Sequence, residues 1–83
     1  MSNWTVYILR CSDNSLYAGI TRDLNRRINE HNKNDRLASA YTRAHRPVKL
    51  VYQEAHSNRS SASKREAIIK SMSKVEKERL VTE

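Results

Sequence analysis

Residues 23–33 hold the first candidates for chemistry, because leucine, isoleucine and histidine recur there at helical spacing. With Leu24 as origin and a helix turning roughly 100° per residue, Ile28 falls at roughly 40°, His31 at roughly −20° and Arg27 at roughly −60°. The apolar stripe therefore includes an imidazole and is flanked by a guanidinium, while Arg26 points elsewhere. Arg27 at such a margin either snorkels to water or looks, with His31, into a groove against the preceding segment. Tyr7 and Tyr17 add two hydroxyls within reach of each other if their segments pair as strands, although tyrosine is also an ordinary strand residue. Gly19, the sole glycine, sits inside a strand pattern and signals a bulge or a close approach of another group. Glu66 is the one acid in its basic stretch. Its carboxylate has the chemistry to hold Mg²⁺ that keeps most of its waters and also binds phosphate. Ser63-Lys64-Arg65-Glu66 equally fits a capping box, which would place Glu66 at a helix start.

The elements that must position these groups follow from the pattern. Residues 4–9 are β-branched and aromatic and read as a strand. Asp13-Asn14 makes a turn, and residues 16–20 return as the second arm of a hairpin. In the first arm Tyr7 shares a face with Thr5 and Leu9, opposite Val6 and Ile8. Thr21 or Asp23 caps the helix over 23–33. Residues 34–46 read as a loop with a short helix. Val48 to Tyr52 forms a third strand after Pro47, and His56-Ser57-Asn58 breaks it. A helix runs from about Arg59 to Met72, and the Ser73–Glu76 capping box opens a last one. The order β-β-α-(α)-β-α-α predicts an α+β domain over residues 1–83, a small three-stranded antiparallel β-sheet flanked by helices.

Composition narrows the partner. The 83 residues carry sixteen Lys and Arg against nine Asp and Glu, a net charge of +7. The charge is uneven: residues 22–49 hold eight cations against Asp23, Glu30 and Asp35, and residues 59–74 hold five against Glu66 alone. Arginine, whose planar fork matches phosphate oxygens, makes up ten of the sixteen cations. A nucleic acid is the expected partner, with Arg22, Arg26, Lys33, Arg43, Arg46, Lys64 and Lys70 as its backbone contacts. Several classes are excluded. The longest apolar run, Val6–Leu9, falls far short of the roughly 20 residues of a membrane span. One cysteine, Cys11, permits no intrachain disulfide, and the histidines at 31, 45 and 56 lack zinc-ligand spacing. No close pair of carboxylates suits a two-metal nuclease, no glycine-rich loop cradles a nucleotide, and no serine sits in a nucleophile elbow. No secretory signal is expected at the amino terminus, and the setting expected is a reduced, cytoplasmic one.

In order along the chain, Val6-Tyr7-Ile8, Tyr17-Ala18-Gly19, Thr21-x-Asp23-Leu24-x-x-Arg27-x-x-x-His31 and Glu66 resemble the GIY-YIG nuclease domain. The resemblance runs from Trp4 to about Met72 and is strongest to the small bacterial members that consist of this domain alone. It departs from the pattern in three places. Thr5 and Ala18 replace motif residues, the asparagine of a later helix in active relatives has no match beyond Glu66, and no added DNA-recognition domain is seen. The resemblance implies a metal-dependent endonuclease that hydrolyses phosphodiester bonds in DNA, ahead of RNA, with one Mg²⁺ or Mn²⁺. It implies that Glu66 binds the metal, that Tyr7 helps activate water with Tyr17 and His31 in support, and that Arg27 neutralises the phosphate. A tyrosine base, with an ordinary pKa of about 10, would need its cationic surroundings to lower that value. The alternative is a non-catalytic, basic nucleic-acid-binding module that keeps the fold. A third reading takes the last helix, with Glu76, Lys77, Glu78 and Arg79, as a protein-partner surface. A monomer or weak dimer is expected.

Overall fold

The structure, a computed structural model, describes residues 3–82. Met1, Ser2 and Glu83 lie outside the described residues, and the expectation about the amino terminus falls partly on them. The elements are β1 (Trp4–Arg10), β2 (Leu16–Thr21), α1 (Leu24–Lys33), α2 (Ala40–Ala44), β3 (Lys49–His56), α3 (Arg59–Lys70) and α4 (Lys74–Thr82). The strands form an antiparallel sheet in the order β2-β1-β3, which makes β1 the central strand. The turn between β1 and β2 places Asn14 at φ 70°, a left-handed conformation that a short amide side chain tolerates.

Alternation along β1 divides the core in two. Val6 and Ile8 pack with Ala18 of β2 and with Ala62 and Ile69 of α3. Tyr7 and Leu9 point the other way, to Cys11 and Val48, with Tyr17, Leu24, Ile28 and Leu50 around them. Each sheet face thus has its own helix, α3 on one and α1 on the other.

β3 extends to His56, four residues past the expected end at Tyr52. Glu54 lies opposite Val6 and His56 opposite Trp4, so Tyr52, Glu54 and His56 all turn toward α3. Polar side chains continue the alternation there because α3 supplies partners for them. The sheet's irregularity falls between Ile8 and Leu9 against β3, whereas β1 and β2 pair without a break through Gly19. Gly19 therefore marks no bulge.

The helix starts follow local hydrogen bonds. Asp23 caps α1 by accepting from Arg26 N at 3.2 Å, and Thr21 Oγ1 accepts from Asp23 N at 3.1 Å. Asn58 caps α3, accepting from Ser61 N at 2.8 Å. With α3 starting at Arg59, Glu66 falls two turns into the helix, so the Ser63–Glu66 capping box does not form. The Ser73–Glu76 box does form: Ser73 N donates to Glu76 Oε1 at 2.9 Å and Glu76 N to Ser73 Oγ at 3.2 Å. The end of α1 is tied to β3 by a two-way amide contact. Asn32 Nδ2 donates to Val48 O at 2.9 Å, and Val48 N donates to Asn32 Oδ1 at 2.8 Å. α4 is held to the hairpin by Arg10, whose Nη2 donates to Glu78 Oε1 at 2.8 Å. Among the described residues, no helix is long and apolar enough to cross a membrane.

Candidate active site

Tyr7 lies opposite Gly19 in the sheet, and its ring crosses the space a side chain would occupy there. A Cβ added to Gly19 would come within 2.6 Å of Tyr7 Cζ, so only glycine lets the tyrosine lie flat across β2. Of the two roles glycine could play in that strand, close approach is the one observed. Tyr17 lies opposite Leu9, which makes it the diagonal neighbour of Tyr7 on the same face.

The hydroxyl of Tyr7 meets His31 Nε2 at 2.9 Å, and both side chains are buried. On its other side His31 Nδ1 meets Thr42 Oγ1 at 2.7 Å. Thr42 Oγ1 itself donates to Ser39 O at 3.2 Å. Thr42 Oγ1 also meets Ser39 Oγ at 2.9 Å, and the tautomer with Nδ1–H donating to Thr42 and Nε2 accepting from Tyr7 is one that satisfies the whole line. Burial holds the imidazole far below its ordinary pKa, at about 4, and the Arg27 charge pushes the same way. The ring is neutral at pH 7. Tyr17 presents itself edge-on to His31 with ring centroids 5.4 Å apart, and Tyr41 of α2 stacks on Tyr17 at 5.9 Å.

Arg27 stands at the rim of this network. Its Nη1 donates to Leu37 O at 2.7 Å and to Glu30 Oε1 at 3.0 Å, so the head is anchored instead of sweeping solvent. It also lines an open cavity of about 390 Å³ with Ile20, Thr21, Arg22, Asp23, Arg26 and Glu30. Arg27 thus faces a groove, but His31 does not look into it with Arg27: the imidazole is fully buried and is not among the residues that line the cavity. The cationic setting does not make Tyr7 acidic. Burial pushes its pKa up to about 12, and the Arg27 guanidinium offsets only part of that rise. The phenol is therefore held protonated at neutral pH.

Glu66 stands outside the hydrogen-bonded group. Its carboxylate adds to the rise at Tyr7 through space, and its ion-pair partner is Lys70, with Nζ to Oε2 at 3.4 Å. Arg65, its neighbour in sequence, turns instead to Glu54. Among the described residues no three His, Cys, Asp or Glu side chains group to hold a metal. A half-buried carboxylate with one long, exposed lysine contact still fits a Mg²⁺ that keeps its waters and takes its remaining ligands from phosphate.

A family model described as the GIY-YIG catalytic domain matches residues 3–79. The chain belongs to the GIY-YIG family. A UPF0213 protein of Desulfotalea psychrophila is 53% identical over 78 residues, covering 94% of this chain and 70% of that protein. A UPF0213 protein of Staphylococcus aureus is 45% identical over 83 residues, covering 100% and 99% respectively. The solution NMR structure of a UPF0213 protein from Bacillus halodurans matches with a TM-score of 0.62 and 39% identity. That match covers 96% of this chain and 83% of the neighbour. The three-stranded sheet and its flanking helices are therefore the fold of the family.

The remaining cations of this GIY-YIG chain fall into two sets. Arg22, Arg26, Lys33, Arg43, Lys64 and Lys70 are exposed. Arg26 pairs with Glu30 at 3.1 Å, and Arg43 Nη1 donates to Asp35 O at 2.8 Å. Arg46 is built into the fold: Nε donates to His31 O at 2.7 Å and Nη1 reaches Asp35 Oδ1 at 2.7 Å. Thr42, Glu30 and Tyr41 were not singled out by sequence reasoning. Glu30 was within its reach, at i+3 from Arg27 and i+4 from Arg26. Thr42 and Tyr41 sit on a short helix whose docking no local pattern announces.

Proposed function

We propose that this chain is a metal-dependent phosphodiesterase that cuts DNA. The observation that carries the reading is the buried Tyr7–His31–Thr42 line next to Arg27, which itself lines a cavity open to solvent. Arg27, held by Glu30 and the Leu37 carbonyl, neutralises charge that develops on the phosphate. As water attacks the phosphorus, the P–O bond to the leaving oxygen breaks and that oxygen takes a proton from solvent. The attacking water's proton goes to Tyr7 Oη while the Tyr7 proton passes to His31 Nε2, so the tyrosine never rests as an anion. Thr42 keeps Nδ1 protonated and Nε2 ready to accept, and Tyr17 fixes the imidazole plane. Glu66 is the group to hold Mg²⁺ or Mn²⁺, which when bound supplies Lewis-acid polarisation of the phosphate. Exposed Arg22, Arg26, Lys33, Arg43, Lys64 and Lys70 contact backbone phosphates, which gives binding without sequence preference.

The test incubates the purified chain and Mg²⁺ or Mn²⁺ with duplex, single-stranded and branched DNA, beside Arg27→Ala and Glu66→Ala. Cutting by the wild type that both variants abolish is the expected result. Cutting that persists unchanged in Glu66→Ala would belong to a contaminant and remove the claim. Salt-sensitive binding without cutting of any substrate would make the chain a binding module instead.

A further inference from the structure

Trp4, the only tryptophan of the chain, is partly buried against the core at the start of β1 and carries two arginines on its indole. Arg22 Cζ lies 6.0 Å from the ring centroid and Arg59 Cζ 5.6 Å. The two come from different elements, Arg22 just after β2 and Arg59 at the first position of α3. Among the described residues neither meets a carboxylate, whereas Arg10, Arg26, Arg27, Arg46 and Arg65 all do. Each guanidinium is drawn to the indole, and neither charge is neutralised by a neighbouring carboxylate, so both are left to take an anion. Two arginine forks suit a phosphodiester, whose oxygens accept bidentate bonds. The place also fits, since Arg22 lines the same cavity as Arg27.

We propose that Arg22 and Arg59, braced by Trp4, grip a flanking phosphate of the substrate strand and set its register over Arg27. The proposal rests on the nuclease reading above, and it makes Arg59 and Trp4 positioning residues that neither motif nor charge count revealed. The indole reports on its own site, because no other tryptophan contributes to the emission.

The experiment titrates the full chain with a short, end-labelled DNA duplex in chelator, so that nothing is cut, at several salt concentrations. Binding is read by anisotropy of the label and, in parallel, by Trp4 fluorescence. The Arg22→Gln, Arg59→Gln double variant is compared with Arg36→Gln, Arg79→Gln, which removes the same charge at exposed arginines that do not lie over the indole. Thermal melts confirm that both variants fold. The expected result is a Trp4 signal that saturates with the label. The slope of log affinity against log salt should fall by about 0.9 in the first variant, one phosphate contact, and remain near wild type in the second. Equal slopes in the two variants, or a silent Trp4 at saturating duplex, overturn the proposal while nucleic-acid binding stands. A wild type that binds no duplex overturns both.

Discussion

Two polar groups lie on opposite faces of one sheet, and each contains a tyrosine and a histidine. On the α1 face, Tyr7, His31 and Thr42 form a line in which no carboxylate touches either ring. On the α3 face, Glu54 accepts from Tyr52, meets His56 Nε2 at 2.7 Å and takes Arg65 Nε–H at 2.9 Å. His56 Nδ1 then meets Ser61 Oγ at 2.6 Å, joining β3 to the first turn of α3. Burial alone would raise the Glu54 pKa, but its three partners outweigh burial and hold it below the ordinary value. Here every strong acceptor and donor is matched, and the group works as a clip between strand and helix. The α1 group differs because its charge is absent, not compensated. Burial keeps His31 neutral and Tyr7 protonated, so one donates to the other and both retain capacity for a proton to move. The same residue types make a brace where a carboxylate fixes them and stay uncharged where none does.

Comparing turnover and stability in single variants of the two groups breaks this contrast most directly. Arg27→Ala should lower DNA cleavage by about 10²–10³-fold, the cost of losing one donor aimed at developing charge. Arg65→Ala should leave turnover unchanged yet lower stability by about 1–3 kcal/mol, because it strips a half-buried carboxylate of its cation. Cleavage assays and urea melts on both proteins would show equal losses of activity if the two groups were alike.

Acid sharpens the contrast next. The folded pKa of His31 is about 4 against an ordinary 6.5, so between these values the unfolded chain binds a proton that the folded chain refuses. Its contribution to stability is complete above pH 6.5 and declines as pH falls toward 4, by about 3 kcal/mol at 1.36 kcal/mol per pH unit. Glu54, depressed as a carboxylate, loses its contribution lower, as pH falls through its folded value. Urea midpoints of wild type and His31→Gln, measured between neutral pH and pH 4, should converge as the acid limit is approached. Parallel curves would mean that His31 is not buried neutral.

The contrast also explains what could be read from residue order alone. The strands, α1, α3 and the last helix follow from period-2 and period-3.6 patterns, and Asp23 and the Ser73–Glu76 box fix two helix starts. His31 was legible because it fell inside an apolar stripe, and Gly19 because a lone glycine in a strand demands a reason. Glu54 was not, since a glutamate two residues beyond an apparent strand end looks like loop. The Arg65 and Ser61 side chains, brought over by α3, give Glu54 and His56 partners along a stretch that also pairs with β1. For Tyr7 the condition set by a tyrosine base, a pKa lowered by cationic surroundings, is not met, because burial, a property of the folded sheet, dominates.

The Tyr7–Gly19 contact tests whether the Tyr7–His31 bond depends on its seat. Gly19→Ala pushes a methyl into the ring of a buried side chain that cannot swing to water, near the upper part of the overpacking range, about 2–3 kcal/mol. Thermal melts measure that loss, and NMR should show the His31 ring signals shifted as Tyr7 is displaced. An unchanged melting point would mean that Tyr7 has room to retreat, and the rigid line to His31 would lose its support.

Thr42→Val gives the smallest effect and the most specific one. Valine keeps the shape of this fully buried side chain and removes its contacts with His31 Nδ1, Ser39 Oγ and Ser39 O. The net loss should be about 1 kcal/mol, the ordinary worth of a hydrogen bond within a protein. The tautomer should change more than the stability. Without an acceptor at Nδ1, His31 gains by moving its proton to Nε2 and donating to Tyr7, whose hydroxyl then turns its own proton outward. Nitrogen chemical shifts of the imidazole distinguish these tautomers directly. A wild-type proton on Nδ1 that moves to Nε2 in Thr42→Val would show that α2, which never approaches the cavity, sets the direction in which Tyr7 passes its proton.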